Sequence, residues 1–193
     1  MKIKSLLAVS CVMASGWACA ATNVALGGAV SLLGTGFNDS GYWSGASPAA
    51  PSTVVDGVYL TTGTQWNTGT VFWSGAFGAD TVQIDLATAA KVTKIDLQAD
   101  NNDDYGIAYR DMGGVWHDLT TISPHRSWGM EMGQANFGEV TATAFAIKAV
   151  GGDGYYSVSE FQAIGAPVPE PESIAVMLAG MAVVGFVARR KSA

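Results

Sequence analysis

Seven side chains in the middle of this 193-residue chain carry chemistry suited to holding a sugar. Tyr42, Trp43, Trp128, Tyr155 and Tyr156 offer flat aromatic faces, on which the C–H groups of a pyranose ring pack. His125 and Arg126 add hydrogen-bond donors for its hydroxyls. Trp66, Trp73 and Trp116 fall in or beside strand-like runs and read as core residues. A glycosidase needs two carboxylates roughly 5–10 Å apart. Glu131, Glu139 and Glu160 supply the residue type, but no spacing brings two of them together. The run Asp100-Asn101-Asn102-Asp103-Asp104 lacks the glycine and the distant glutamate of an EF-hand loop, so it reads as a solvated turn between strands. Other enzyme signatures are missing: there is no Gly-x-Ser-x-Gly elbow, no phosphate-cradling glycine loop and no His-Glu-x-x-His pair. The two histidines are His117, on a strand facing solvent, and His125.

The elements that must position these residues are strands. Val82, Ile84 and Leu86 alternate with polar neighbours, and Ile95 and Leu97 repeat the pattern over Thr93–Leu97. Tyr105, Ile107 and Tyr109 alternate again, Asp111-Met112-Gly113-Gly114 is a turn, and Val115–Thr120 returns as the partner strand of a hairpin. Phe145, Ile147 and Ala149 mark a later strand and Tyr156–Ile164 the last. Two long polar loops interrupt them, residues 34–51 and 123–138, and between them these hold five of the seven sugar candidates. Short strands joined by glycine-rich turns predict an all-β fold, an antiparallel β-sandwich.

Both ends of the chain read as addresses. Lys2 and Lys4, an apolar stretch from Leu6 to Trp17, and Ala18-Cys19-Ala20 predict a signal peptide over residues 1–20. Both cysteines, Cys11 and Cys19, lie in that removable segment, which excludes disulfides and thiol chemistry from the exported protein. Residues 21–165 form one domain, large enough for its own core. This span holds five basic residues, Lys91, Lys94, Arg110, Arg126 and Lys148, against 14 Asp and Glu, a net charge of about −9. So acidic a surface repels nucleic acid, which is therefore no expected partner. A Pro/Glu linker follows over 166–172, then a hydrophobic segment over 173–188, then a basic tail over 189–193. The apolar run from Ile174 to Ala188 is 15 residues, short for a bilayer core of about 30 Å, so it suits a transient stop in the inner membrane. Arg189 and Arg190 mark its cytoplasmic end.

The tail, with Pro169-Glu170-Pro171, the short span and the arginines, resembles the PEP-CTERM sorting signal of Gram-negative bacteria. That resemblance implies an exosortase-type processing enzyme as partner and a final place at the cell surface or in the extracellular matrix. The domain carries a second resemblance. Asn23-Val24-Ala25, Val55-Asp56-Gly57, Trp66, Val82–Leu86, Tyr105–Arg110, Gly114-Val115-Trp116 and Ser159-Glu160-Phe161 occur in an order similar to that of discoidin-type (coagulation factor C-type) domains. It implies a galactose-binding-like jelly roll and a structural calcium held by Asp56 and Glu160, with oxygen from Thr61 or Thr62. The expected function is a carbohydrate-binding module for exopolysaccharide or another glycan. A structural matrix or biofilm protein with protein partners alone is the alternative, and a small polysaccharide-active enzyme the outsider.

Overall fold

Alternation at 82–86 and 93–97 predicts two strands, but the backbone makes them one. The computed structural model describes residues 21–169, 178–182, 184 and 189–190. The expected signal peptide, most of the hydrophobic segment, and Glu170 and Pro171 of the sorting motif lie outside the described residues. In chain order the strands are β1 (Thr22–Asn23), β2 (Ala29–Leu33), β3 (Ser47–Pro48), β4 (Thr68–Ser74), β5 (Thr81–Asp100), β6 (Asp104–Arg110), β7 (Trp116–Ile122), β8 (Met130–Gly151) and β9 (Tyr155–Pro167). A short 3-10 turn, Pro51–Val55, precedes β4 and buries Val54 and Val55.

The 20-residue β5 and the 22-residue β8 pair antiparallel along most of their length. Their register shifts between Asp85 and Ala90, the kind of irregularity that bends a strand. On one side of the bend Ile84 lies opposite Phe145; on the other, Leu97 lies opposite Gly133. Each long strand therefore serves two layers. The first layer runs β2, the start of β5, the end of β8, β6, β7. The second runs β4, β9, the end of β5, the start of β8, with β1 beside β9. All pairs are antiparallel except the two-residue β3, which lies parallel to β4.

Period-two alternation sends Val82, Ile84, Phe145 and Ile147 inward from the first layer and Ile95, Leu97, Phe161 and Ala163 inward from the second, all fully buried. Ring contacts join the layers: Phe145 meets Phe161 at 5.3 Å and Trp73 of β4 meets Tyr105 of β6 at 6.2 Å. Such aromatic pairs add to an area term of about 1.5–3 kcal/mol for each buried ring.

Three expectations need correction. The loop expected over 123–138 ends at Gly129, because Met130 to Asn136 pair with β5; their sequence lacks a clean run of β-branched residues and hides the strand. Strand β9 passes the expected domain edge at 165 and runs through Pro167, opposite Ala90. Trp116, expected in the core, is 40 % exposed on the outer face, with the Arg110 guanidinium 5.7 Å from its ring centre. Among the described residues, no helix is long and apolar enough to cross a membrane.

Phe161→Ala, which removes a ring that both layers share, is expected to cost about 3–5 kcal/mol. Val115→Ala, at an exposed position, should stay within about 0.5 kcal/mol. Urea unfolding of the two variants measures both.

Candidate functional site

The β5–β8 register sets Asp100 opposite Met130, and β6–β8 pairing sets Asp104 opposite Gly151. Three connections, 101–103, 123–129 and 152–154, thus emerge at one end of the sandwich. Together with residues 61–67 and Trp43 they enclose a cleft of about 280 Å³. Trp66 forms its floor: the indole is 6 % exposed and rests on Phe72 at 5.5 Å and Tyr155 at 5.6 Å. Trp43 stands edge-on to it at 6.3 Å, with the rings at 89°. Trp128, 61 % exposed, forms another wall.

Hydrogen bonds fix the Trp128 loop. The Asn101 side chain donates to the Ser127 carbonyl and accepts from Gly129 N–H at 3.0 Å. Glu131, largely buried, accepts from Arg126 N–H at 2.8 Å and from the Ser127 hydroxyl. On the other flank Met130 N–H donates to the Thr64 carbonyl at 2.9 Å, and Gly63 N–H returns to Met130 at 3.0 Å. Gly129 makes this docking possible. Its φ is +67°, and a Cβ there would stand 2.3 Å from the Thr64 oxygen.

The polar lining is acidic. Asp100 is 5 % exposed, and its one hydrogen bond is to the N–H of neighbouring Asn101. Asp153 accepts from Tyr155 N–H at 2.9 Å and from the Asn102 side chain at 3.0 Å. Beneath them Asp103 is fully buried. The Tyr105 hydroxyl lies 3.1 Å from Asp103 Oδ2 and 3.0 Å from the Ser157 carbonyl, and it accepts from Ser157 N–H at 3.1 Å. One phenolic proton cannot serve two acceptors. A proton on Asp103 resolves this, since the acid then donates to Tyr105 while Tyr105 donates to Ser157. Burial, reinforced by the charges of Asp100 and Asp153, pushes the Asp103 carboxyl up to about 8. Burial raises Asp100 to about 6, with Asp153 adding to the rise. The run 100–104 is thus a turn whose first and fourth residues are buried, not the solvated loop expected.

The seven sugar candidates separate. Trp43 and Trp128 meet in the cleft, and Tyr155 supports its floor. Tyr42 is fully exposed and does not line the cleft. His125 is turned to the Asp103 carbonyl at 3.0 Å and to Asp104 at 3.2 Å. Arg126 is exposed on the adjoining loop, its charge acting on Glu131. Tyr156 is a correction: its ring is fully buried against Trp73 at 5.7 Å and cannot reach a ligand. Sequence reasoning passed over Gln65, Trp66, Asp100, Asn101, Asn102 and Asp153 as site residues. The asparagines between two strands were the available signal.

Of the expected metal ligands, Asp56 and Glu160 come together. Glu160 is fully buried and accepts from Gly57 N–H at 3.2 Å; Asp56 accepts from Val58 N–H at 2.8 Å. Burial pushes Glu160 up to about 7, and the Asp56 charge adds to it. Thr61 spends its carbonyl on Thr64, and Thr62 is exposed. Among the described residues, no group of three or more His, Asp or Glu is placed to hold a metal ion. A larger depression, about 440 Å³, lies on the outer face of β6, β7 and β8. No aromatic ring lines it, so it lacks a platform for a sugar.

The fold and the tail each have known counterparts. Residues 167–191 match the family model described as the PEP-CTERM protein-sorting motif, a signal for export. The sandwich is similar in fold to the jelly rolls of carbohydrate-binding modules. One similar structure is the family 32 module from C. perfringens NanJ in complex with galactose: TM-score 0.53, 16 % identity, covering 75 % of this chain and 98 % of that one. A Streptococcus pneumoniae fucose binding module has TM-score 0.51 and 15 % identity over 75 % of this chain and 95 % of its own. The lectin domain of lectinolysin, complexed with Lewis B antigen, has TM-score 0.51 and 13 % identity over 75 % and 97 %. No curated protein matches the chain in sequence.

Asp103 makes stability depend on pH. The folded state holds its proton up to about 8, whereas an unfolded carboxyl loses it near 3.8. The unfolded state alone gains from ionisation in between, so the contribution of Asp103 is full below about pH 4 and is lost as pH rises through about 8. Asp100 and Glu160 act in the same direction. Melting temperatures at about pH 5 and about pH 9 should show this fall in the natural protein and a smaller fall in Asp103→Asn.

Proposed function

We propose that this is an exported, non-catalytic glycan-binding module whose sugar rests on Trp128 and Trp43 and hydrogen-bonds to the polar side chains between them. The observation that carries this reading is the meeting of Trp43, Trp66 and Trp128 in one cleft with Gln65, Asn102 and two carboxylates. A pyranose needs that combination of flat apolar faces and hydroxyl partners. Similar folds, one in complex with galactose, one complexed with Lewis B antigen and one a fucose binding module, support it. The absence of nucleophile and zinc signatures from the sequence supports a binding role over turnover.

The sorting motif adds the destination. In this reading an exosortase of a Gram-negative host processes the tail at the inner membrane. The module then reaches the cell surface or matrix and attaches to the host's exopolysaccharide. A structural calcium at Asp56 and Glu160 belongs to the same reading. Its support is a carboxylate raised mainly by burial, to which the Asp56 charge adds a repulsion that a divalent cation relieves. Loop carbonyls would complete its oxygen shell, with Thr61 or Thr62 as the expected hydroxyl donors.

Two outcomes follow from this reading. Trp128→Ala and Trp43→Ala should each weaken retention on exopolysaccharide about tenfold or more without lowering the melting temperature, since both rings are largely exposed. Equal retention by both variants would contradict the cleft as the sugar site. Calcium should raise the melting temperature of the natural protein, with chelator reversing the gain and Glu160→Gln abolishing it. An unchanged melting temperature would remove calcium from the account.

A further inference from the structure

The charge of the cleft narrows the class of sugar. This step rests on the cleft being the glycan site and asks what kind of glycan it takes. Asp100 and Asp153 are the charged residues of its lining, and no Lys, Arg or His stands among them. Of the basic residues on the adjoining loop, His125 is turned to Asp104, and neither it nor Arg126 lines the cleft. Asp100 is the decisive group. It is 5 % exposed, lines the cleft, and has one oxygen engaged by the N–H of Asn101 and the other without a protein donor. A carboxylate so enclosed is short of the water that normally offsets its charge, and among the described residues no ion-pair partner reaches it.

Three kinds of occupant answer this differently. A uronate adds a second anion beside Asp100 and Asp153 and is repelled. A neutral hydroxyl supplies a hydrogen bond but leaves the charge uncompensated. An ammonium supplies both, and charge-assisted hydrogen bonds of this kind are about twice as strong as neutral ones. A metal ion is the other cation to weigh, but among the described residues no group of three acidic or histidine side chains converges to hold one. An ammonium brings its own donors and needs only separate acceptors to receive them. Asp100 and Asp153 provide these, while the indoles of Trp43 and Trp128 attract the positively polarised C–H face beside an amine.

We propose that the glycan recognised by this cleft carries free amines, as in a de-N-acetylated hexosamine polymer, with one ammonium received by Asp100 and Asp153.

The test uses the full-length chain, kept soluble in detergent, and calorimetric titration near neutral pH. The probes are a β-1,4-glucosamine oligomer, its N-acetylated counterpart, a neutral glucose oligomer and a uronate oligomer, all of equal length. The glucosamine oligomer should bind at least about tenfold more tightly than the N-acetylated and neutral ones, and the uronate should not bind. Raising salt should shrink the preference, because it screens charge and leaves stacking in place. Asp100→Asn should abolish the preference for the amine form over the N-acetylated one. Asp153→Asn should reduce it, and serves if the first variant fails to fold. Equal affinity for the amine and N-acetylated forms, or preference for uronate, overturns the amine assignment and leaves the cleft as a glycan site. Calcium alone binding through Asp100, with no preference for the amine, overturns it as well. Failure of every oligomer to bind a folded protein overturns both this assignment and the glycan reading.

Discussion

The register between β5 and β8 is the constraint on which the rest of this structure depends. Each strand side faces one core, so a slip of one residue would send Ile84, Ile95 and Leu97 to solvent together. The shift between Asp85 and Ala90 lets the same two strands close both layers. At the far end it places Asp100 against Met130, and the cleft follows from that one pair. The turn after Asp100 carries Asn101 to the Trp128 loop, and the residue before Met130 must be the glycine that lets Thr64 approach. Binding side chains thus come from loops, but strand pairing sets their positions.

The same strands fix the relation between the cleft and the tail. β9 begins at Tyr155, beneath the cleft, and leaves the sandwich where Pro167 pairs with Ala90 and Val168 N–H reaches the Ala89 carbonyl at 2.8 Å. Ala90 and Asp100 are separated by ten steps along β5, about 33 Å of extended chain. The chain therefore leaves the sandwich at the end of the layer remote from the cleft.

The fold was legible in the sequence where alternation was clean. Val82–Leu86, Tyr105–Tyr109 and Phe145–Ala149 carry one face inward and fall in strands. It was hidden at Met130–Gly138, where glycines and polar residues sit in a strand held mainly by backbone pairing. Of the site, exposed loop tryptophans were legible by type, because a large apolar ring on a polar loop has few other uses. Trp66 was not, since an indole at a cleft floor and one in a core have the same local sequence. Tyr156 follows Tyr155, and the period of two alone decides that one ring reaches the cleft floor while the other faces the core. The burial of Asp100 and Asp103 could not be read either, because it depends on contacts with residues some fifty positions away, such as Asp153 and Ser157.

In the proposed function, sugar binds on the tryptophans at the loop end and not on the sheet face. Indole N–H resonances of the six tryptophans report on this directly during titration with a glycan. Trp43, Trp66 and Trp128 should shift together with one dissociation constant while Trp73 and Trp116 stay still. Shifts at Trp116, which lies on the outer face, with the three cleft indoles unmoved, would contradict it.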